Sequence, residues 1–323
     1  MREGWSTELI GEVTNILNGG TPKSGVAEYW GGDVLWITPK DMGKLDSKYV
    51  SDTSRTITEQ GLAKSSAKLI PENSVILSTR APIGHLAINK MPMATNQGCR
   101  GLVPSPALDT IFLFYFLSLN VSLLNDLGSG TTFKELAKSA LAGVDIPIPP
   151  LPEQKRIVAI LDEAFEGIDR AVANAEKNLA KAHELFESYL NKVFTQKGDG
   201  WEERALGEAC TFSQGIQVGV KSQLVTKSHK GQIRFLRIVD FTQGQEPPRY
   251  IEHPGDRYIV DKDDVSLVRY GASTGFVCRG LTGAIANNLF QVTPDNESLS
   301  RQFLFYFLYS SVFQSKVREA IGG

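Results

Sequence analysis

Phe112-Leu113-Phe114-Tyr115-Phe116-Leu117 recurs unchanged as Phe303-Leu304-Phe305-Tyr306-Phe307-Leu308. Six matched residues, four of them aromatic, point to a duplicated segment, and the sequence on either side bears this out. Gly4-Trp5 with Leu9, Gly11 and Glu12 returns as Gly200-Trp201 with Leu206, Gly207 and Glu208. Between these anchors the order of features holds: Asn18-Gly19 against Gln214-Gly215, Trp36 and Asp41 against Phe235 and Asp240, Arg80 and Gly84 against Arg269 and Gly275, Asn96-Gln97 against Asn287-Asn288. The offset drifts from 196 to 199 and back to 191, as loop insertions and deletions on a common scaffold require. So long a period excludes a solenoid. Two copies of one domain, retuned separately, suit a protein that reads two different things.

With 323 residues, 41% hydrophobic and 22% charged, the chain is large enough for two domains with their own cores. No charged N-terminal region precedes an apolar stretch, and the longest apolar run, residues 111–124, is broken by Ser118, Asn120 and Ser122. It is too short to span a bilayer, so a cytoplasmic protein with no membrane association is expected. Cys99, Cys210 and Cys278 lack any paired spacing and are expected as small buried hydrophobes, neither disulfides nor zinc ligands. Net charge is −1 for residues 1–150, −2 for 151–199 and +1 for 200–323. A globally basic nucleic-acid binder is thereby excluded; any DNA contact must come from a local basic face or be shared with a partner.

The first copy reads as short strands and turns followed by helix. Val34–Ile37, Leu69-Ile70, Val75–Leu77 and His85–Ile88 are β-rich runs bounded by Gly, Pro, Asn and Asp. Residues 111–124 have helical spacing that predicts Phe112, Tyr115, Phe116, Leu119 and Leu123 facing the sheet. A second helix is expected over Thr132 to Ala142, ended by Gly143. Then Pro147-Ile148-Pro149-Pro150-Leu151-Pro152 leads into a long helix, with Pro152 in the first turn and Glu153 at the positive end of the dipole. Apolar residues fall at 157, 161, 164, 168, 171, 175, 179, 182, 186, 189 and 193, a coiled-coil seam with one stutter between 171 and 179. Some 44 residues give a rod of roughly 65 Å. Such a stripe needs another helix to cover it. Aligned on the hexapeptide, the sequence ends beside Leu127 to Gly130, so the counterpart of Thr131 to Thr195 is expected to have been truncated.

Enzyme motifs are wanting. Leu127-Gly128-Ser129-Gly130-Thr131-Thr132 follows a helical run and lacks the surrounding strand–turn–helix of a nucleotide or S-adenosylmethionine site. Gly271-Ala272-Ser273-Thr274-Gly275 lacks the lysine of a phosphate loop, and His85, His183, His229 and His253 have no metal-ligand spacing. Ile148-Pro149-Pro150-Leu151 lacks the acid and aromatic of an amino-group methylation motif. Recognition fits better, because Arg and Lys suit guanine edges and phosphates, and Asn and Gln suit adenine. The DNA-binding candidates are Lys23, Lys40, Thr79, Arg80, Asn96, Gln97 and Arg100 in the first copy. In the second they are Lys221, Arg234, Arg237, Arg269, Tyr270, Asn287 and Asn288. For any one of them the plainer alternative is a polar loop residue facing water.

Several segments together carry a family resemblance: Gly4-Trp5 with Leu9, Gly11 and Glu12; Trp36-Ile37 with Asp41; Ser78-Thr79-Arg80 with Gly84; Asn96-Gln97-Gly98; Thr131-Thr132 with Leu136. Most specific is Ile146-Pro147-Ile148-Pro149-Pro150-Leu151-Pro152-Glu153-Gln154 with Ile157-Val158, opening a long helix. The whole chain resembles the specificity subunit of type I restriction-modification systems. That resemblance implies an α+β protein with two homologous target recognition domains, each a twisted β-sheet with helices. The first spans residues 1–150, a spacer helix 151–198, and the second 199–323 without its distal helix. Each domain would read one half of a bipartite duplex site, while the helices set the spacing and dock methyltransferase subunits. The chain would be non-catalytic, directing adenine methylation and, with the restriction or motor subunit, cleavage. S-adenosylmethionine, ATP and Mg are then expected on those partners, with no cofactor on this chain.

Arg156, Glu163 and Lys177, outside the seam, are the partner-docking candidates. The absent distal helix departs from the family's pattern and leaves open a homodimer through the long helix. Other readings are a duplicated carbohydrate- or peptide-binding module with a dimerisation helix, and an enzyme with an unfamiliar site. If the half-sites differ, residues identical in both copies, including Arg80 with Arg269, should be scaffold or backbone contacts. Specificity then belongs where the copies disagree, in Thr21 to Gly32, Lys40 to Lys68, Ile216 to Arg234 and Phe241 to Asp264.

Overall fold

The computed structural model describes residues 4–130, 134–196, 198–295 and 298–321. The chain divides into two compact units, Met1–Val172 and Ala173–Gly323. The long helix, Leu151–Thr195, belongs to the first unit at its start and to the second at its end.

In the first unit, strand Trp30–Ile37 lies between Thr56–Ile57, antiparallel, and Met93–Thr95, parallel. A second sheet runs in the order Thr14–Asn18, Cys99–Pro104, Val75–Thr79, Ile83–Asn89, Tyr49–Val50. Val75–Thr79 is buried along its whole length, which is why it reads as a continuous run instead of an alternating one. The runs expected at Val34–Ile37, Val75–Leu77 and His85–Ile88 all lie within strands. Leu69-Ile70 makes only an isolated bridge, Ile70 to Met93, because Pro71 has no N–H to carry a ladder onward.

Two helical expectations need correcting. Residues 111–124 form two helices, Thr110–Leu119 and Val121–Asp126, parted at Asn120, whose side chain donates to the Phe116 carbonyl at 2.7 Å. The buried face is Phe112, Leu113, Leu117 and Leu124, whereas Leu119 is 84% exposed and Leu123 is exposed too. A run apolar on nearly every side does not fix its own face; the break at Asn120 turns the second helix so that Leu124 points inward. Among the described residues the next helix is only Lys138–Ala142. Upstream of it, Glu135 exchanges both backbone hydrogen bonds with Ser129 in an extended bridge, which a helix from Thr132 would forbid. Thr131 and Thr132 lie outside the described residues.

The second unit repeats this frame. Strand Gln232–Leu236 lies between Arg249–Glu252, antiparallel, and Gly283–Ile285, parallel. The other sheet runs Cys210–Gln214, Leu289–Pro294, Val265–Val268, Val277–Cys278, in the same order and sense as its counterpart. Ile259–Val260 pairs with Gly283–Ile285 where the first unit has only its Ile70 bridge. The repeated hexapeptide is scaffold: Leu113, Leu117, Leu304 and Leu308 are all fully buried. Glycines needing a positive φ recur in step. At Gly84 (φ +110°) and Gly275 (φ +86°) an added Cβ would fall 2.5 Å from Val121 and 2.7 Å from Val317.

Each unit grips its part of the long helix differently. In the first, Gln154 is fully buried and satisfied, donating to the Ala107 and Pro149 carbonyls and accepting from the Asp109 N–H, each at 2.8 Å. Asp162 accepts from Lys48 and Tyr115, and Tyr115 stacks on Phe165 at 5.6 Å. In the second, Phe194 packs edge-on against Trp201, Phe303 and Phe307, and Asn191 accepts from Ser311. Between these ends much of the seam stays exposed, Ile168 by 55% and Leu179 by 60%. Among the described residues no helix is long and apolar enough to cross a membrane. All three cysteines are free and buried; burial pushes the Cys278 thiol up to about 12.

Candidate nucleic-acid interface

In each unit the parallel strand pair ends at a short capped helix, and a cleft opens beside it. In the first, Thr38 caps Pro39–Met42, and the Asp41 carboxylate accepts from the Thr38 N–H at 2.9 Å. Burial would raise Asp41, but hydrogen bonds from Ser54 and Thr38 outweigh it and hold the carboxyl below its usual value. In the second, Asp240 accepts from the Arg237 N–H at 2.8 Å at the start of Ile238–Thr242. The recurrent aspartate therefore sits third in its helix and reaches back to the cap residue's backbone N–H, as in a capping box.

The first cleft, about 670 Å³, is walled by Trp36 and carries Lys40, Lys44, Arg55 and Arg80 against one carboxylate, Asp41. Trp36 donates to the Gly20 carbonyl at 3.0 Å and meets Trp30 edge-on at 5.1 Å. The Arg55 guanidinium lies 3.8 Å over Trp30, a stacking that fixes its plane while leaving its N–H edge open. Lys40, Lys44 and Arg55 are exposed and join no ion pair among the described residues. Arg80 faces Glu135 at 3.6 Å. The second cleft, about 600 Å³, has Phe235 in place of Trp36 and one cation, Arg237. That cation is spent on Asp240 at 3.0 Å and Glu246 at 2.8 Å, so this cleft is close to neutral.

The remaining sequence candidates scatter around these clefts. Lys23, Arg269 and Tyr270 are exposed on loops, and Lys221 is exposed in the short 3-10 helix Val220–Ser222. Arg100 donates to Asn18 at 2.7 Å, and Arg234 faces Asp240 at 3.6 Å. Asn96 closes a turn onto the Gly98 N–H at 3.0 Å, and Asn287 and Asn288 line the second cleft. Thr79 corrects an expectation: it is fully buried, its hydroxyl donating to the Gly98 carbonyl at 3.3 Å, and offers nothing to a ligand. On the long helix Glu163 and Lys177 are exposed, while Arg156 pairs with Glu153 at 2.7 Å.

Backbone ladders also correct the alignment of the copies. Asn96 donates to Ile37 and Ala286 to Leu236; Thr79 donates to Gly98 and Arg269 to Asn288. Asn96 thus corresponds to Ala286, Gln97 to Asn287, Gly98 to Asn288, and Arg269 to Thr79, leaving Arg80 opposite Tyr270. Matching amide to amide and arginine to arginine slips the register by one residue, which hydrogen-bonded strands do not allow.

The same ladders reveal a pair that divergent text hides. Trp36 donates to the Arg55 carbonyl at 3.2 Å, and Phe235 sits opposite Arg249. Arg55 and Arg249 therefore hold one structural position, and neither joins an ion pair among the described residues. The one signal in the text is an isoleucine two residues after each arginine, Ile57 and Ile251, too slight to align on.

The type I restriction modification DNA specificity domain family matches residues 2–177. The chain is similar to the type I restriction enzyme MjaIX specificity subunit of Methanocaldococcus jannaschii, 31% identical over 256 residues, covering 74% of this chain and 59% of that protein. It is also similar to the EcoR124I/EcoR124II specificity subunit of Escherichia coli, 30% identical over 199 residues, covering 59% and 48%. The chain thus spans about half the length of these relatives. The fold is like that of the HsdS subunit from Thermoanaerobacter tengcongensis (TM-score 0.59, 22% identity, 95% of this chain and 79% of that one). A structure from work on assembly and conformational transition of the type I R-M system is similar at TM-score 0.64, with 20% identity and 96% and 80% coverage. With more than half its length matched by the family, the chain belongs to the type I restriction-modification DNA specificity domains.

Proposed function

We propose that this chain is the sequence-reading, non-catalytic subunit of a type I restriction-modification complex, each cleft taking one half of a bipartite duplex site. The observation that supports this most is a single backbone frame, built twice, with two different cleft linings. A frame serving one ligand twice has no reason to change Lys40 and Arg80 into Val239 and Tyr270. Arg55 and Arg249, alike in both units, are assigned to phosphates together with Lys40 and Lys44; the amides that differ between the two linings are assigned to bases. The long helix links the two readers, and its length sets the gap between half-sites.

Methyltransferase and restriction or motor subunits are the partners in this reading. They carry S-adenosylmethionine, ATP and Mg, and work with the chain on cytoplasmic DNA. Arg156, Glu163 and Lys177 belong to the surface they dock on, and the exposed seam takes a second helix, from another copy of this chain in a homodimer. The test is fluorescence anisotropy of labelled duplex DNA titrated with the chain and its methyltransferase subunits. Binding that weakens steeply with salt and is competed best by one bipartite sequence is expected. Equal competition by every duplex, or none at all, would refute it.

A further inference from the structure

The corrected register brings together two side-chain pairs that sequence comparison kept apart. Gly20 donates to the Thr95 carbonyl at 2.8 Å and Ile216 to the Ile285 carbonyl at 2.9 Å, so Thr21 and Gln217 hold one position. Gln97 and Asn287 hold another. In the first unit the Thr21 hydroxyl donates to Gln97 Oε1; in the second Asn287 Nδ2 donates to Gln217 Oε1 at 3.4 Å. The same two loops are therefore bridged at the same place by different chemistry. Gln217 and Asn287 line the second cleft, and Gln97 stands between the first cleft's Asn96 and Gly98.

What each pair leaves unused differs. Among the described residues Gln97 gives its oxygen to Thr21 and keeps both amide N–H donors, whereas Asn287 spends one donor and keeps its oxygen together with the other N–H. Side-chain amides read base edges through such free donors and acceptors, and a partner that fixes the amide's plane makes the reading selective. The glycines beneath hold both loops in place: a Cβ at Gly19 would fall 1.8 Å from the Asn96 carbonyl oxygen, and one at Gly215 2.2 Å from that of Ala286.

We infer that Thr21 with Gln97, and Gln217 with Asn287, are matched specificity-determining pairs, each reading one base pair of its own half-site. This rests on the bipartite-site reading above. The experiment is methylation sequencing of DNA from cells carrying the wild-type complex, the exchange Thr21→Gln with Gln97→Asn, or the reciprocal Gln217→Thr with Asn287→Gln. The first exchange should change the preferred base at one position of one half-site by roughly tenfold or more, and the reciprocal should change one position of the other. A wild-type motif without two parts would defeat the underlying reading. A bipartite wild-type motif with both exchanged motifs unchanged, with both halves altered by one exchange, or with modification lost from both exchanges while the folded complex is recovered, would overturn the pairs alone.

Discussion

The two clefts share a frame and differ in charge. The first carries Lys40, Lys44 and Arg55, which join no ion pair among the described residues, beside Trp36; the second carries Arg237 closed off by Asp240 and Glu246 beside Phe235. A chain of net charge −2 therefore hides a local cationic cleft in its first half. The difference teaches that whole-chain charge says little about DNA contact when a duplicated frame has shared its charges unequally. It also predicts that the first unit supplies more of the salt-dependent affinity.

The largest effect should come from the floor of each cleft. Gly19→Ala and Gly215→Ala each force a methyl group into a backbone carbonyl, and each should unfold or distort its own unit, costing about 3 kcal/mol or more in a denaturation curve. Alanine tolerated at either would break the claim that the loops are held flush. Next is Arg237→Gln, which leaves the Asp240 carboxylate, only 1% exposed, without its closest cation. A loss of about 3 kcal/mol in the second unit is expected, with little change in salt dependence. If salt dependence fell and stability held, Arg237 would be a DNA contact after all.

Replacing Lys40, Lys44 and Arg55 together by Gln should do the reverse. Melting should barely move, while the slope of log affinity against log salt should shrink by about three. The smallest effect concerns the grip on the long helix. Burial would raise Asp162, but hydrogen bonds from Lys48 and Tyr115 hold it below the ordinary 3.8. A carboxyl depressed by folding stabilises fully above its unfolded value and loses that contribution as pH falls through its folded one. Asp162→Asn should therefore flatten the acid limb of the first unit's stability below about pH 4 and leave the second unit's limb alone; identical profiles for wild type and variant would contradict it.

Much of this was legible in the residues. A hexapeptide that recurs unchanged has to be core, and Leu113, Leu117, Leu304 and Leu308 are. Pro152 and the apolar spacing point to a helix of some 44 residues, placed in 151–198, against Leu151–Thr195 found. What escaped was whatever depends on partners distant in sequence. The inward face of residues 111–124 hangs on a break at Asn120, and Thr79 looked like loop but ends a buried strand. The site suffered most from a one-residue slip, since matching Asn96 to Asn287 hid the equivalence of Gln97 with Asn287 and so of the Thr21–Gln97 and Gln217–Asn287 contacts. Arg55 and Arg249 went unseen because their flanking text shares little beyond an isoleucine two residues on; their place opposite an aromatic strand residue equates them.

The central claim is that two equivalent clefts each read their own half of one site. Methylation sequencing of DNA modified by the wild-type complex, against one whose Lys40, Lys44, Asn96 and Gln97 are all alanine, tests it most directly. A two-part wild-type motif is expected, of which the variant relaxes one part and keeps the other intact. Relaxation of both parts together, or an undivided wild-type motif, would contradict it.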